Sequence, residues 1–339
     1  MSNLKVLFVW TGVASYMADC WRALARSEDV DLKVVIVDRP GGYGTAFQDE
    51  EVMRGLDWRK ESAFGGVETF AGWRPDVMFV VGWRAPVCRA YATCRGWRDV
   101  PKICCFDMPW EWKLRKFVAR FVLSPYLRNF KAAFVPGEVS ARYAQWLGFP
   151  RIHKGLFGID VGRLCGDAGC RQAKKSNFLY AGRLSDEKRI DVLAAAYRLY
   201  RQSVQDPAGL DVYGVGGCES MLKGMPGIAL HGFAQPVDMP GIYARAKALV
   251  LPSAWDPWPL VIAESCAAGL PIICSDHCWN APELLRGNAH IVPVGDVRAT
   301  ARAMCDVASL VGSEGRELVA NYSCAAWAQK VRKICLESF

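Results

Sequence analysis

The chain has 339 residues, 52% of them hydrophobic and 22% charged, with a formal net charge of +8. That balance belongs to a folded globular protein and excludes a disordered one, and the length makes two domains the expectation. No apolar run approaches the roughly 20 residues of a membrane-spanning helix, and the fourteen cysteines show no C-x-x-C step beside only four histidines, so no zinc site of standard spacing can be assembled locally.

The apolar start at 4–10 lacks a cleavage-site pattern and reads as a first buried strand over 5–9, followed by a helix at 15–26. Strands at 32–38, 77–81 and 102–106 follow, with a turn-rich loop at 41–44. A helix at 113–123 and a strand at 132–136 close this half. The second half repeats the rhythm: a strand at 178–181, a helix at 190–202, and strands at 211–213, 228–231, 248–251 and 271–274. Strands separated by helices imply a parallel sheet covered on both faces, and two such runs imply two doubly wound domains. The break is expected within 155–175, where glycines gather and periodicity fades. Ligands of such sheets bind beyond the carboxyl ends of strands, so loops directly after strands carry the chemistry. The cysteines sit mostly in apolar runs and read as reduced, structural thiols of a cytoplasmic protein.

Charge is uneven, +7 over residues 1–155 and +1 over 156–339. The excess gathers in Lys113, Arg115, Lys116, Arg120, Arg128 and Lys131, interleaved with Trp110, Trp112, Phe117, Phe121, Tyr126 and Phe130. Two readings stand: an amphipathic helix with a solvated basic face, or a peripheral contact with an anionic membrane or anionic acceptor through residues 110–131. No nucleic-acid motif accompanies the charge, which leaves nucleic acid outside the expected partners.

Four loops merit attention. After the first strand, Gly12 lets backbone N–H groups approach a ligand. After the strand at 178–181, Arg183 and Lys188 are spaced to converge on one anion, a planar fork beside a point charge, with Ser185 as an N-cap that shapes the turn. The run 211–217, DVYGVGG, lacks the third glycine of a dinucleotide fingerprint because position 219 is Glu, which argues against an NAD-linked oxidoreductase. Finally, Asp256 and Glu264 stand eight positions apart, after the strand at 248–251. Pro259 is placed as first residue of a helix whose next N–H groups, on Leu260 and Val261, point outward at a positive dipole end. Glu264 is about one turn further, roughly 6 Å along the axis. Asp256 lies outside the helix, free to meet a hydroxyl.

GRLSDEKRIDVL, then HGF, then PSAWDPWPLVIAESCAAGLPII resembles the retaining family-4 glycosyltransferases of GT-B fold, whose hallmark is E-x7-E. The resemblance is strong over 178–283 and weaker before it. It implies two Rossmann-like domains facing a central cleft: residues 1–155 for the acceptor, 156–320 for the nucleotide-sugar donor, and a terminal helix in 321–339 that crosses back to the first domain. It implies that Arg183 and Lys188 hold the donor diphosphate, Glu264 the ribose, Asp256 the donor sugar, and that Phe233 and Ala234 lie by the base. No divalent metal is implied. The expected acceptor is a glycan, a lipid-linked glycan or a small molecule, in a cytoplasmic protein for which contact with the inner membrane face is one of the two readings of residues 110–131. Three departures from the pattern stand out. Asp256 stands where Glu is usual, Pro259 where Gly is usual, and Phe106-Asp107-Met108 where a His often lies, so that Asp107 substitutes as a hydroxyl acceptor or caps the next segment. The competing expectation is a catalytically weak relative that binds nucleotide sugar or partners an active transferase.

Overall fold

The computed structural model describes residues 3–38, 49–66, 70–165 and 176–338. The 41–44 loop and residues 166–175 of the expected break lie outside them. Contacts divide the chain into two units, Met1–Ile159 with Tyr322–Phe339, and Asp160–Asn321.

In the first unit the runs LKVLFVWT and VDLKVVIV form β1 (Leu4–Thr11) and β2 (Val30–Val37), followed by β3 (Trp58–Glu61), β4 (Val77–Val81), β5 (Lys102–Cys105), β6 (Ala132–Val135) and β7 (Ile152–Lys154). They make a seven-stranded parallel sheet in the order β3-β2-β1-β4-β5-β6-β7. The central strands are buried on both faces, as a sheet covered by helices demands. Phe8 stacks on Phe79 at 4.6 Å across the β1–β4 pair.

The second unit holds β8 (Asn177–Ala181), β9 (Leu210–Tyr213), β10 (Ile228–Gly232), β11 (Ala246–Leu251), β12 (Ile272–Ser275) and β13 (Ala289–Val292). They form a six-stranded parallel sheet, β10-β9-β8-β11-β12-β13. In each sheet the order runs outward from a central strand and then reverses. That reversal falls between β1 and β4 in one sheet and between β8 and β11 in the other. The crevice beside such a reversal is where ligands of doubly wound sheets bind. Both units are thus Rossmann-like.

The Cys324–Leu336 helix belongs to the first unit. Ser323 caps it by accepting from the Ala326 N–H at 3.2 Å. Trp327, fully buried, donates from its indole N–H to the Leu156 carbonyl at 2.7 Å and lies 5.7 Å from the Phe8 ring. The Cys20 and Cys324 thiols meet at 3.8 Å where this helix crosses Ser15–Ala25.

The segment rich in Lys, Arg and aromatics forms a helix over Leu114–Leu127, ending four residues later than its pattern indicates and continuing through Pro125. Its basic face is not simply solvated. Lys116 is buried, paired with Glu111 at 2.6 Å, and donates to the Pro109 carbonyl at 2.5 Å. Much of the exposed face is apolar instead: Leu114, Phe117, Val118, Phe121 and Val122 all face solvent.

Candidate active site

β8 and β11 are hydrogen-bonded neighbours, so the loops that leave their carboxyl ends, 182–189 and 252–259, run side by side. The Ala254 N–H donates to the Glu187 carbonyl at 2.8 Å. Lys188 and Asp256, 68 positions apart in sequence, form an ion pair at 2.5 Å. Both side chains are largely buried. Burial raises the Asp256 carboxyl above its ordinary value, and the Lys188 ammonium acts against that rise. The Asp256 carboxylate is therefore not free, as its place outside the helix suggests, but already holds the cation that the sequence sets beside it. The reason is geometric: parallel neighbouring strands end at the same level, and their loops meet.

Arg183 pairs with Glu187, one turn along the same loop, at a half-exposed position. Arg183 and Lys188 thus each hold an acid. Tyr180 fixes the loop by donating its hydroxyl to the Arg183 carbonyl at 2.6 Å. Ser185 precedes a short 3-10 turn, Asp186–Lys188, and its hydroxyl makes no cap; the backbone at Arg189 is left-handed (φ 53°), which separates the turn from the Ile190–Ser203 helix. The turn is shaped by that backbone reversal, not by the Ser185 side chain.

The DVYGVGG run closes on this loop by backbone contact. Gly182 donates to the Tyr213 carbonyl at 2.9 Å and Leu184 to that of Val215 at 3.0 Å. A Cβ on Gly214 would sit 1.8 Å from the Gly182 carbonyl oxygen, and one on Gly216 would sit 2.2 Å from that of Leu184. These glycines permit close approach of two loops, the physical role of glycine where backbones touch.

The second acid lies on the Leu260–Ala268 helix. Pro259 is its N-cap, one position before the place its sequence suggests, with extended ψ (107°). Leu260 and Val261 are then the first two helical residues, whose N–H groups have no acceptor a turn earlier. Asn280 holds this start by donating from Nδ2 to the Pro259 carbonyl at 2.9 Å. Glu264, half-buried, accepts a 2.5 Å hydrogen bond from the buried Tyr243 hydroxyl. Sequence reading had no signal for Tyr243: it lies on the separate Met239–Arg245 helix. Missed too was the loop after β12. The Asp256 N–H donates to the His277 carbonyl at 3.2 Å, and the Trp279 N–H to the Asp256 carbonyl at 3.1 Å. That loop sets Trp279 edge-on to Trp255, centroids 5.8 Å apart, and parallel to His277 at 5.7 Å.

Phe233 and Ala234 follow β10, at the edge of the second sheet, with Phe233 partly exposed. Gly12 and Asp107 belong to the first unit, at the ends of β1 and β5, which β4 separates. Gly12 has a left-handed backbone (φ 71°). Asp107 is exposed and does not cap the following helix, whose N-cap is Lys113. Among the described residues, no group of three or more His, Cys, Asp or Glu side chains is placed to hold a metal ion.

Residues 175–310 match the family described as glycosyl transferases group 1. The matched segment spans 136 of the chain's 339 residues. The site loops, 182–189 and 252–264, both fall inside it. A search of curated protein sequences gave no match. Among solved structures, the chain is similar to HepE of Anabaena in complex with UDP and glucose, with TM-score 0.75, 14% identity, and 99% of this chain and 100% of that one covered. It is similar to sucrose-phosphate synthase from Thermosynechococcus elongatus, with TM-score 0.74, 16% identity and 99% of each chain covered. It also resembles the pneumococcal O-GlcNAc transferase GtfA in complex with UDP and GlcNAc, with TM-score 0.74, 12% identity and 99% of each chain covered. At such identities the likeness is one of fold, and the fold is that of GT-B glycosyltransferases.

Proposed function

We propose that this chain is a retaining glycosyltransferase that moves a sugar from a nucleoside-diphosphate sugar to a hydroxyl of a glycan, lipid-linked or small-molecule acceptor in glycan biosynthesis. The observation that carries the reading is the meeting of the 182–189 and 252–264 loops at the strand-order reversal of the second sheet. Lys188, Arg183 and the Leu260 and Val261 N–H groups supply cationic and dipolar stabilisation for a diphosphate at that point. Glu264, oriented by Tyr243, takes ribose hydroxyls, and Phe233 with Ala234 flanks the base. Asp256 takes a donor-sugar hydroxyl. Gly12 and Asp107 act from the first unit, Gly12 through its backbone and Asp107 as a hydroxyl acceptor.

In the reaction, the bond between the anomeric carbon and the diphosphate oxygen breaks, and negative charge grows on the leaving diphosphate. Preorganised donors and cations stabilise that growing charge more than they stabilise the ground state. The acceptor hydroxyl attacks the same face and delivers its proton to the departing phosphate oxygen, so configuration is kept. No role is assigned to a divalent metal. The cytoplasm, where nucleotide sugars are available, is the proposed site of action.

Asp256 and Lys188 neutralise one another before any donor arrives. A diphosphate therefore shares Lys188 with Asp256 or displaces it. The same pair favours a second reading, a weakly catalytic relative that binds nucleotide sugar, because the acid meant for the sugar is already engaged. A thermal-shift screen with UDP, GDP, ADP and their sugar conjugates, on the wild type and on Glu264→Ala and Arg183→Ala, tests the site: a ligand that binds the folded state alone raises the melting point by mass action. The expected result is a shift with one nucleotide, lost in both variants. Turnover of the same donor with added acceptors separates the transferase from the weak relative.

A further inference from the structure

The Leu114–Leu127 helix carries two apolar faces, and only one is used by the fold. Tyr126 and Leu127 are buried, with the Tyr126 hydroxyl donating to the Gly82 carbonyl at 3.0 Å, and Lys116 is locked by Glu111. The helix is thus fixed to the first unit. On its outer side Leu114, Phe117, Val118, Phe121 and Val122 fall at i, i+3, i+4, i+7 and i+8, one continuous stripe. All face solvent: Leu114 is 80% exposed, Phe121 66%, Val122 70%, and Trp112, just before the helix, 88%. Single exposed apolar residues need no explanation, but a contiguous stripe of large ones marks an interaction surface.

Charge around the stripe chooses the occupant. Arg115, Arg120, Arg128 and Lys131 are exposed there, Lys113 is exposed and paired with Glu111 at 2.9 Å, and no Asp or Glu occurs from 112 to 137. Arg120 lies 5.5 Å above the Trp146 ring, and the tilted rings of Trp146 and Phe117 have centroids 4.6 Å apart, so cation and aromatic groups share one surface. A helix of 14 residues spans only about 21 Å and cannot cross a bilayer. Lying flat, it presents aromatic and aliphatic side chains to acyl chains while its cations meet phosphate headgroups, the chemistry of interfacial helices.

We propose that the outer face of the Leu114–Leu127 helix, with Trp112, docks this protein onto an anionic lipid bilayer by inserting the 114–122 stripe between headgroups. That the acceptor is itself lipid-borne rests on the transferase reading; the docking does not.

Co-sedimentation of the full chain with phosphatidylglycerol–phosphatidylcholine vesicles and with pure phosphatidylcholine vesicles tests it. Two variants accompany the wild type, Leu114→Ser/Phe121→Ser/Val122→Ser and Arg115→Gln/Arg120→Gln/Arg128→Gln. Melting points on every sample verify folding, and nucleotide-dependent shifts follow the donor site separately. The expected result is binding to the anionic vesicles, at least tenfold weaker in each variant and on neutral lipid. Absence of wild-type binding, or binding that survives the serine substitutions, overturns the proposal. So does a wild-type dimer, seen by analytical ultracentrifugation, that the serine variant dissolves, since the stripe then belongs to a second copy. None of these outcomes alters the nucleotide shifts, so failure here is distinct from failure of the donor site.

Discussion

The 182–189 and 252–264 loops of the second unit and the 112–122 segment of the first handle their demanding side chains in opposite ways. In the loops the charged side chains at the site have partners from the protein itself: Lys188 with Asp256, Arg183 with Glu187, Glu264 with Tyr243. Along the helix most of the apolar stripe faces solvent, with Trp146 against Phe117, and its cations have few acids near. On the proposed reading, a diphosphate that enters the first region must displace existing partners, and the second region is the face proposed to dock on lipid. Self-pairing keeps buried charge satisfied at the cost of competition with the ligand, whereas an uncovered apolar face has no such competition and waits for bulk contact.

The largest test of self-pairing is Lys188→Met. It leaves the Asp256 carboxylate buried without its partner, and removing one member of a buried pair costs about 3–5 kcal/mol. Urea denaturation reads that loss, and Lys188→Met/Asp256→Leu recovers most of it. A single variant within about 0.5 kcal/mol of wild type would show that the pair is merely superficial. Gly214→Ala probes the loop beneath. Its Cβ would meet the Gly182 carbonyl oxygen, so a loss of about 1–3 kcal/mol is expected, with weaker nucleotide binding because the 182–189 loop shifts. Unchanged melting and binding would refute the close packing. Tyr243→Phe removes only the hydrogen bond to Glu264. Its effect is smaller, about 1.5 kcal/mol, and appears as a roughly tenfold rise in nucleoside-diphosphate Kd by calorimetry; a Kd equal to wild type would detach Tyr243 from the ribose site.

The smallest effect is in pH. The Asp256 carboxyl is raised by burial, so the folded state binds its proton more tightly than the unfolded state does. Stability contributed by the neutral form is present at low pH and declines as pH rises from about the ordinary carboxylate value, near 3.9, through the raised one. Asp256→Asn lacks this slope. Denaturant midpoints for both proteins across that window give the comparison, and parallel curves would contradict the assigned burial effect.

How much of this was legible in the sequence follows from where each element sits. β1, β2 and β4 are apolar, rich in β-branched residues and buried on both faces, so their runs announce themselves. β3 (WRKE), β7 (IHK) and β13 (AHIV) escaped notice because they are sheet edges, where polar residues are tolerated and no apolar run is required. The helix at 114–127 looked shorter because Pro125 reads as a stop, yet it lies in the last turn, exposed, where one missing N–H is tolerated. Asp256 and Glu264 are visible by spacing on one segment. Their partners are not: Lys188 meets Asp256 only because β8 and β11 are neighbours, and Tyr243 reaches Glu264 from another helix. Strand order and side-chain partners across the sheet are tertiary facts that no local pattern encodes. The serine cap read at Ser185 does not form: the Lys188 N–H donates to the Ser185 carbonyl at 3.0 Å, and the hydroxyl makes no hydrogen bond.

The most direct test of the central claim, that these loops cradle a diphosphate, is calorimetric. The nucleoside diphosphate that raises the wild-type melting point is titrated, beside its parent nucleoside, into wild type and into Lys188→Met/Asp256→Leu, whose stability the paired substitution preserves. A charged hydrogen bond is worth about 1.5–3 kcal/mol, so the account predicts diphosphate affinity at least about tenfold weaker in the variant, with nucleoside affinity unchanged. Equal diphosphate affinity in the two folded proteins would contradict it.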